Sequence, residues 1–167
     1  MVQYMGFYLA FGSNLSVSQM LTRCPDAVYV GTAMVKGYRL LFKGSQTGSY
    51  LTVEKKARGK VPVLVWKVSK EDEKNLDRFE GWPRFYRKER MEVELQNLAD
   101  GAVIGIVNAF IYIMDESRVC GKPSDQYYRV CEEGYKRFGF DKKILEKAFL
   151  ESTGFKRPDK KGWGWGI

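Results

Sequence analysis

The chain has 167 residues, 44 % of them apolar and 29 % charged, with a formal charge of +8 at pH 7. That length fits one domain able to bury about two-thirds of its unfolded surface. No apolar stretch reaches the roughly 18 uncharged residues of a membrane helix, and no leader pattern opens the chain, so a cytoplasmic protein with no membrane partner is expected. Histidine is absent altogether, which excludes Ser-His and Cys-His nucleophilic pairs, the usual zinc ligand sets and an imidazole proton shuttle. Any proton-transfer group must be a carboxylate, Lys, Tyr or Cys. Cys24, Cys120 and Cys131 form neither a metal-ligand pair nor an even disulfide set and read as free thiols. The basic residues are scattered, so a dedicated nucleic-acid surface is not expected.

In chain order, residues 7–10 read as a short buried strand. Ser16 caps a helix over 17–23, closed by Pro25. Residues 27–43 are rich in β-branched and aromatic side chains and predict two strand pieces broken near Gly37. A loop over 44–49 and strands at 50–53 and 61–68 follow, the latter alternating. Ser69-Lys70-Glu71-Asp72 has the form of a capping box, with acidic residues where the helix dipole favours them, and Gly81 ends that helix. Residues 86–95 and 102–114 predict strands around the turn Ala99-Asp100-Gly101. Pro123-Ser124 opens a helix over 125–138, and Asp141 caps a last one to Ser152. The order predicts an α+β fold, a small mixed β-barrel with flanking helices. Residues 1–154 form the domain, and 155–167, a basic segment containing Trp163 and Trp165, form a tail.

Three stretches carry candidate chemistry. In Tyr8-Leu9-Ala10-Phe11-Gly12-Ser13-Asn14-Leu15 an apolar run breaks into Gly-Ser-Asn. The break is either a tight turn or a concavity of backbone N–H groups suited to anions and carbonyl oxygens. Glu80 sits in the last turn of a predicted helix between Phe79 and Trp82. Unpaired carbonyls and loss of water both raise a carboxyl pKa toward the range of a general acid/base; the alternative is a surface ion pair with Arg78 or Arg87. In Pro123-Ser124-Asp125-Gln126-Tyr127-Tyr128 the tyrosines either point a hydroxyl into a pocket or serve the core. Asp77 reads as a local contact.

Together, "YLAFGSNL", "LDRFEGWPRFY" and "PSDQYY", in that order from about residue 7 to 138, resemble the γ-glutamylcyclotransferase family. The Gly-Ser-Asn-Leu form resembles the branch acting on γ-glutamyl dipeptides; the γ-glutamylamine branch usually has Gly-Thr-Leu. The resemblance implies a barrel with a pocket at one end, a small-molecule γ-glutamyl substrate and no cofactor or metal. It implies Glu80 as the catalytic acid/base. Tyr8, Leu9, Ala10, Phe11, Gly12, Ser13 and Asn14 are implied to bind the γ-glutamyl group, and Tyr86 and Tyr127 to contact substrate. Phe11 stands where the family often has Tyr, so one hydroxyl is missing.

The resemblance also accounts for the lack of histidine. The substrate's α-amine attacks its own side-chain carbonyl, giving 5-oxoproline and a released amine. Three rival readings remain beside it: a γ-glutamylamine substrate such as an isopeptide or polyamine adduct, a non-catalytic binding module on the same fold, and a nucleic-acid or membrane role for the tail. The oligomeric state, monomer or homodimer, is left open.

Overall fold

The computed structural model describes residues 2–45 and 48–158. Strand β1 (Tyr4–Ala10) leads into a 3-10 turn (Ser13–Leu15) and helix α1 (Val17–Arg23). Strands β2 (Val28–Ser45) and β3 (Gly48–Ser69) follow, then helix α2 (Lys70–Glu80), strands β4 (Tyr86–Gln96), β5 (Val103–Met114) and β6 (Val119–Cys120), and helices α3 (Asp125–Phe138) and α4 (Lys142–Thr153). This is the expected α+β composition.

The strands pair in the order β3-β1-β5-β4-β2-β6, and β2 pairs again with β3. That last pairing closes the circuit, so β1, β5, β4, β2 and β3 form a barrel and β6 rides on the edge of β2. The barrel is mixed: β1 and β5 run parallel through Phe7↔Ala109 and Tyr8↔Phe110, while the other pairs are antiparallel. Its seam between β2 and β4 is a single pair, Thr32↔Gln96.

Two expectations need correction. The stretch 27–43 does not break at Gly37, and 50–53 and 61–68 are not separate strands. Instead β2 and β3 are long partners with an irregularity: Lys36 pairs with Lys60, but Tyr38 pairs with Lys55. Residues 56–59 therefore bulge out of the ladder, with Gly37 and Arg58 in left-handed conformation at φ 83° and 65°. Nor does the 61–68 stretch behave as a half-exposed strand, since every residue from Val61 to Trp66 is buried. A run buried on both faces reads as continuously apolar.

The core is filled by Leu9, Trp66, Phe110, Ile111 and Tyr112 from the barrel and by Tyr128, Tyr135 and Phe149 from the helices. Helix α4 packs on β2, where the Phe42 N–H donates to Ser152 Oγ at 2.8 Å and Phe42 meets Phe149 edge-on. Arg157 returns the chain to α3, bonding Asp125 at 3.2 Å and stacking 4.0 Å from the Tyr128 ring. Most of the proposed tail, Trp163 and Trp165 included, lies outside the described residues. No helix among the described residues is long and apolar enough to cross a membrane.

Candidate active site

At the end of β1 the chain leaves the sheet at Phe11 and Gly12 and winds into the 3-10 turn. The carbonyls of Gly12 and Ser13 accept from Leu15 and Ser16 N–H, both at 3.0 Å. The N–H groups of Gly12, Ser13 and Asn14 have no acceptor among the described residues. The break is thus both a turn and a concavity of donors, because the first amides of any helical turn lack partners. Asn14 is locked from three sides. Its Nδ2 donates to the Tyr8 hydroxyl at 3.0 Å, its carbonyl accepts from Trp66 Nε1 at 3.2 Å, and its Oδ1 accepts from Arg23. Arg23 also donates to Gln19 Oε1 at 3.1 Å and lies 3.6 Å over the Phe79 ring.

Helix α2 begins with the capping box read from sequence: Ser69 Oγ accepts from Asp72 N–H at 3.1 Å, and Asp72 Oδ2 from Ser69 N–H at 3.2 Å. It ends with Gly81 in left-handed conformation at φ 69°, Trp82 N–H bonding the Asp77 carbonyl and Gly81 N–H that of Arg78. This Schellman arrangement stops the helix at Glu80. Asp77, a turn earlier, takes the Tyr112 hydroxyl at 2.6 Å and Lys88 Nζ at 3.0 Å, tying α2 to β4 and β5. Asp77 is a structural contact.

The Glu80 carboxyl makes no hydrogen bond or ion pair among the described residues. The surface pairing weighed for it does not form, since Arg78 bonds Asn75 and Arg87 pairs with Glu89 and Glu116. Its carboxyl borders a cavity of about 590 Å³ at the barrel end. Burial pushes that carboxyl up to about 7, against the opposing pull of Arg23. Of the flanking aromatics only Phe79 lines this cavity. Trp82 turns away and lies under Lys88, whose Nζ is 4.4 Å from the ring centre, so it takes no part in drying Glu80.

Helix α3 is capped by Ser124, whose Oγ accepts from Tyr127 N–H at 3.1 Å, which places Tyr127 in the first turn. Opposite lies the early part of β3, whose other edge carries no strand among the described residues, because β1 pairs only with Leu64–Ser69. Two tyrosines complete that edge. Leu51 N–H donates to the Tyr127 hydroxyl, and the Leu51 carbonyl accepts from the Tyr86 hydroxyl, both at 3.0 Å. Burial also holds the Tyr8, Tyr86 and Tyr127 hydroxyls far above ordinary phenol values, so they remain protonated donors.

Tyr8, Phe11, Gly12, Ser13, Asn14, Glu80, Tyr86 and Tyr127 thus surround one cavity. Leu9 and Ala10 do not. Their side chains are fully buried and they pair with Val65 and Leu64 of β3. Sequence reading missed Arg23, Arg78, Tyr50, Phe85 and Tyr112, which also line it. Arg23 was open to detection, as a cation ending α1 directly after the Gly-Ser-Asn turn; the others arrive through barrel closure.

A closed mixed barrel whose end cavity is bordered by one carboxyl and by an amide-lined turn has the γ-glutamyl cyclotransferase-like fold. Residues 8–137 match the family "Gamma-glutamyl cyclotransferase, AIG2-like", and the chain belongs to that family. Among solved structures, a gamma-glutamyl cyclotransferase superposes with TM-score 0.74 at 25 % identity, covering 92 % of this chain and 89 % of that one. An uncharacterized protein from Homo sapiens matches with TM-score 0.74, 26 % identity and the same coverage. A yeast gamma-glutamyl cyclotransferase specific to glutathione, at 10 % identity and TM-score 0.59 over 91 % of this chain and 96 % of its own, shares the fold. No curated protein sequence matches the chain.

Proposed function

We propose that the chain cyclises the γ-glutamyl group of a γ-glutamyl dipeptide to 5-oxoproline and releases an amino acid, with Glu80 as general acid/base. The observation that carries this reading is the unpaired Glu80 carboxyl, raised to about 7, on the same cavity as the free amides of Gly12, Ser13 and Asn14. A carboxyl with that pKa holds and yields a proton with nearly equal ease at neutrality.

The substrate brings its own nucleophile. Ionised Glu80 takes a proton from the α-ammonium, and the freed amine attacks the side-chain carbonyl carbon. The oxyanion that forms is received by the amides of the Gly12–Asn14 turn. When the carbon–nitrogen bond to the leaving amino acid breaks, Glu80 returns the proton to that nitrogen. The second proton of the ring nitrogen then passes to the freed Glu80 carboxylate, leaving 5-oxoproline with a neutral lactam. Folding the substrate so that amine and carbonyl meet is worth up to about 7–11 kcal/mol, and each oxyanion donor about 2.7–4 kcal/mol. Tyr8, Tyr86 and Tyr127, all protonated, shape the pocket. The Tyr86 O–H is spent on the Leu51 carbonyl, whereas Tyr8, whose hydroxyl accepts from Asn14, keeps its O–H as a further donor. Residues 1–154 form the catalytic domain in this reading, and 155–167 an appended tail.

The test is 5-oxoproline release from a panel of γ-glutamyl dipeptides, with Glu80→Gln beside the parent. Release by the parent and its near-complete loss in the variant, with binding retained, support the proposal. No release from any dipeptide, or parent-like turnover by Glu80→Gln, overturns it.

A further inference from the structure

The charged lining of the cavity has a sparse pattern. Among the described residues around it Glu80 is the one acid, and Arg23 and Arg78 are the two cations. A γ-glutamyl dipeptide carries one ammonium and two carboxylates, a pattern of opposite sign. The γ-glutamyl adduct of a simple amine has lost one of those carboxylates, and a polyamine adduct adds ammonium groups that this lining does not answer.

The two arginines stand in different situations. Arg23 is held by Asn14, Gln19 and the Phe79 face, beside the turn that would take the γ-glutamyl unit. Arg78 is exposed in the last turn of α2, two residues before Glu80, and its one hydrogen-bond partner among the described residues is the Asn75 side chain. Most of its donors are free. Its backbone is fixed, because its carbonyl accepts from Gly81 in the helix stop. A guanidinium on a fixed backbone at the cavity mouth suits a carboxylate arriving from solvent, which it can meet with two parallel hydrogen bonds. Arg118 is no competitor: it stacks 4.1 Å from the Phe85 ring and does not line the cavity.

We propose that Arg78 recognises the carboxylate of the leaving amino acid, so that this cavity selects γ-glutamyl dipeptides with a free terminal carboxylate over γ-glutamylamines. The inference rests on the cyclotransferase reading above for the orientation of the substrate.

The experiment compares γ-glutamyl-alanine with γ-glutamyl-alaninamide, which differ at that one group. kcat/KM for 5-oxoproline release is measured on the full chain, Arg78→Met and Arg84→Met. Arg84 is exposed, removes the same charge nearby and does not line the cavity. Binding of both compounds to Glu80→Gln, with and without Arg78→Met, gives a readout that needs no turnover.

The expected result is a preference of about tenfold for the acid, as a hydrogen bond to a charged group provides. Arg78→Met removes it by raising KM for the acid alone, and Arg84→Met preserves it. Equal handling of both compounds by the parent, an equal loss on both in Arg78→Met, or an equal loss of preference in Arg84→Met overturns the proposal. Selective binding without any 5-oxoproline would instead sink the cyclotransferase reading and leave carboxylate recognition by Arg78 standing.

Discussion

Gly134 of α3 lies so close to the 3-10 turn that a β-carbon added to it would meet the Leu15 Cβ at 2.4 Å. A second close approach joins the same two elements, for a β-carbon on Gly12 would come within 2.9 Å of the Tyr127 hydroxyl. The turn bearing the free amides is thus seated on α3 through positions without side chains. Leu15 is fully buried and its Cβ is fixed to the backbone, so Gly134→Ala forces the turn or the helix to move. The expected cost is about 1–3 kcal/mol, as for other overpacked sites. At about 2–4 °C per kcal/mol for a chain of this size, a melting temperature within 1 °C of the parent would contradict this contact.

The two tyrosine hydroxyls on Leu51 make a separate prediction. Tyr127→Phe leaves a buried N–H without a partner, and Tyr86→Phe leaves a buried carbonyl, each costing about 1–3 kcal/mol. Because both hydroxyls hold one peptide segment of β3, the double variant is expected to depart from additivity. Urea denaturation of the two single variants and the double would measure this. Unchanged stability in both single variants would show that water replaces the hydroxyls at that edge.

Asn14→Ala strips the Tyr8 hydroxyl of its donor and frees Arg23 from the loop. A loss of about 1–3 kcal/mol is expected from the unsatisfied buried groups. Asn14→Asp keeps the acceptor for Arg23 but removes the donor to Tyr8, and should recover part of that loss. If aspartate is no better than alanine, the Arg23 contact contributes nothing.

What could be read from sequence follows the range of the forces involved. Helix ends are set by a few neighbouring residues, so Ser69 with Asp72, the helix start at Ser124 and the glycine stop at 81 were visible, and α1, α2 and α3 fell where these signals placed them. The β2–β3 ladder was misread because its continuity depends on pairing between distant residues, and the bulge at 56–59 looks locally like a loop. The short β6 exists only because Gly44 and Lys43 offer it an edge. At the site, Glu80 was singled out from its place at a helix end, and it borders the cavity. Trp82 was misassigned, since its direction is set by Lys88 on the next strand. Arg78 gave no signal as a pocket residue until the barrel brought α2 over the turn.

The raised Glu80 carboxyl also has a consequence for stability that can be measured without any substrate. A carboxyl at about 7 in the folded chain, against an ordinary 4.5, binds a proton more tightly when folded than when unfolded. Stability is therefore unaffected below about pH 4.5, falls as pH rises from there to about 7, and stays at the lower level above it. The full difference corresponds to roughly 3–4 kcal/mol at most, at about 1.4 kcal/mol per unit of pKa. Glu80→Gln carries no titrating group and escapes this cost. The stability of that variant minus the parent's should be near its minimum at pH 4 and climb to a plateau by pH 8, whatever other groups titrate in both. Denaturant unfolding at half-unit pH steps provides the curve. A flat difference across that range would mean that Glu80 is solvated as freely as in the unfolded chain, and the case for it as a proton carrier at neutral pH would fall with it.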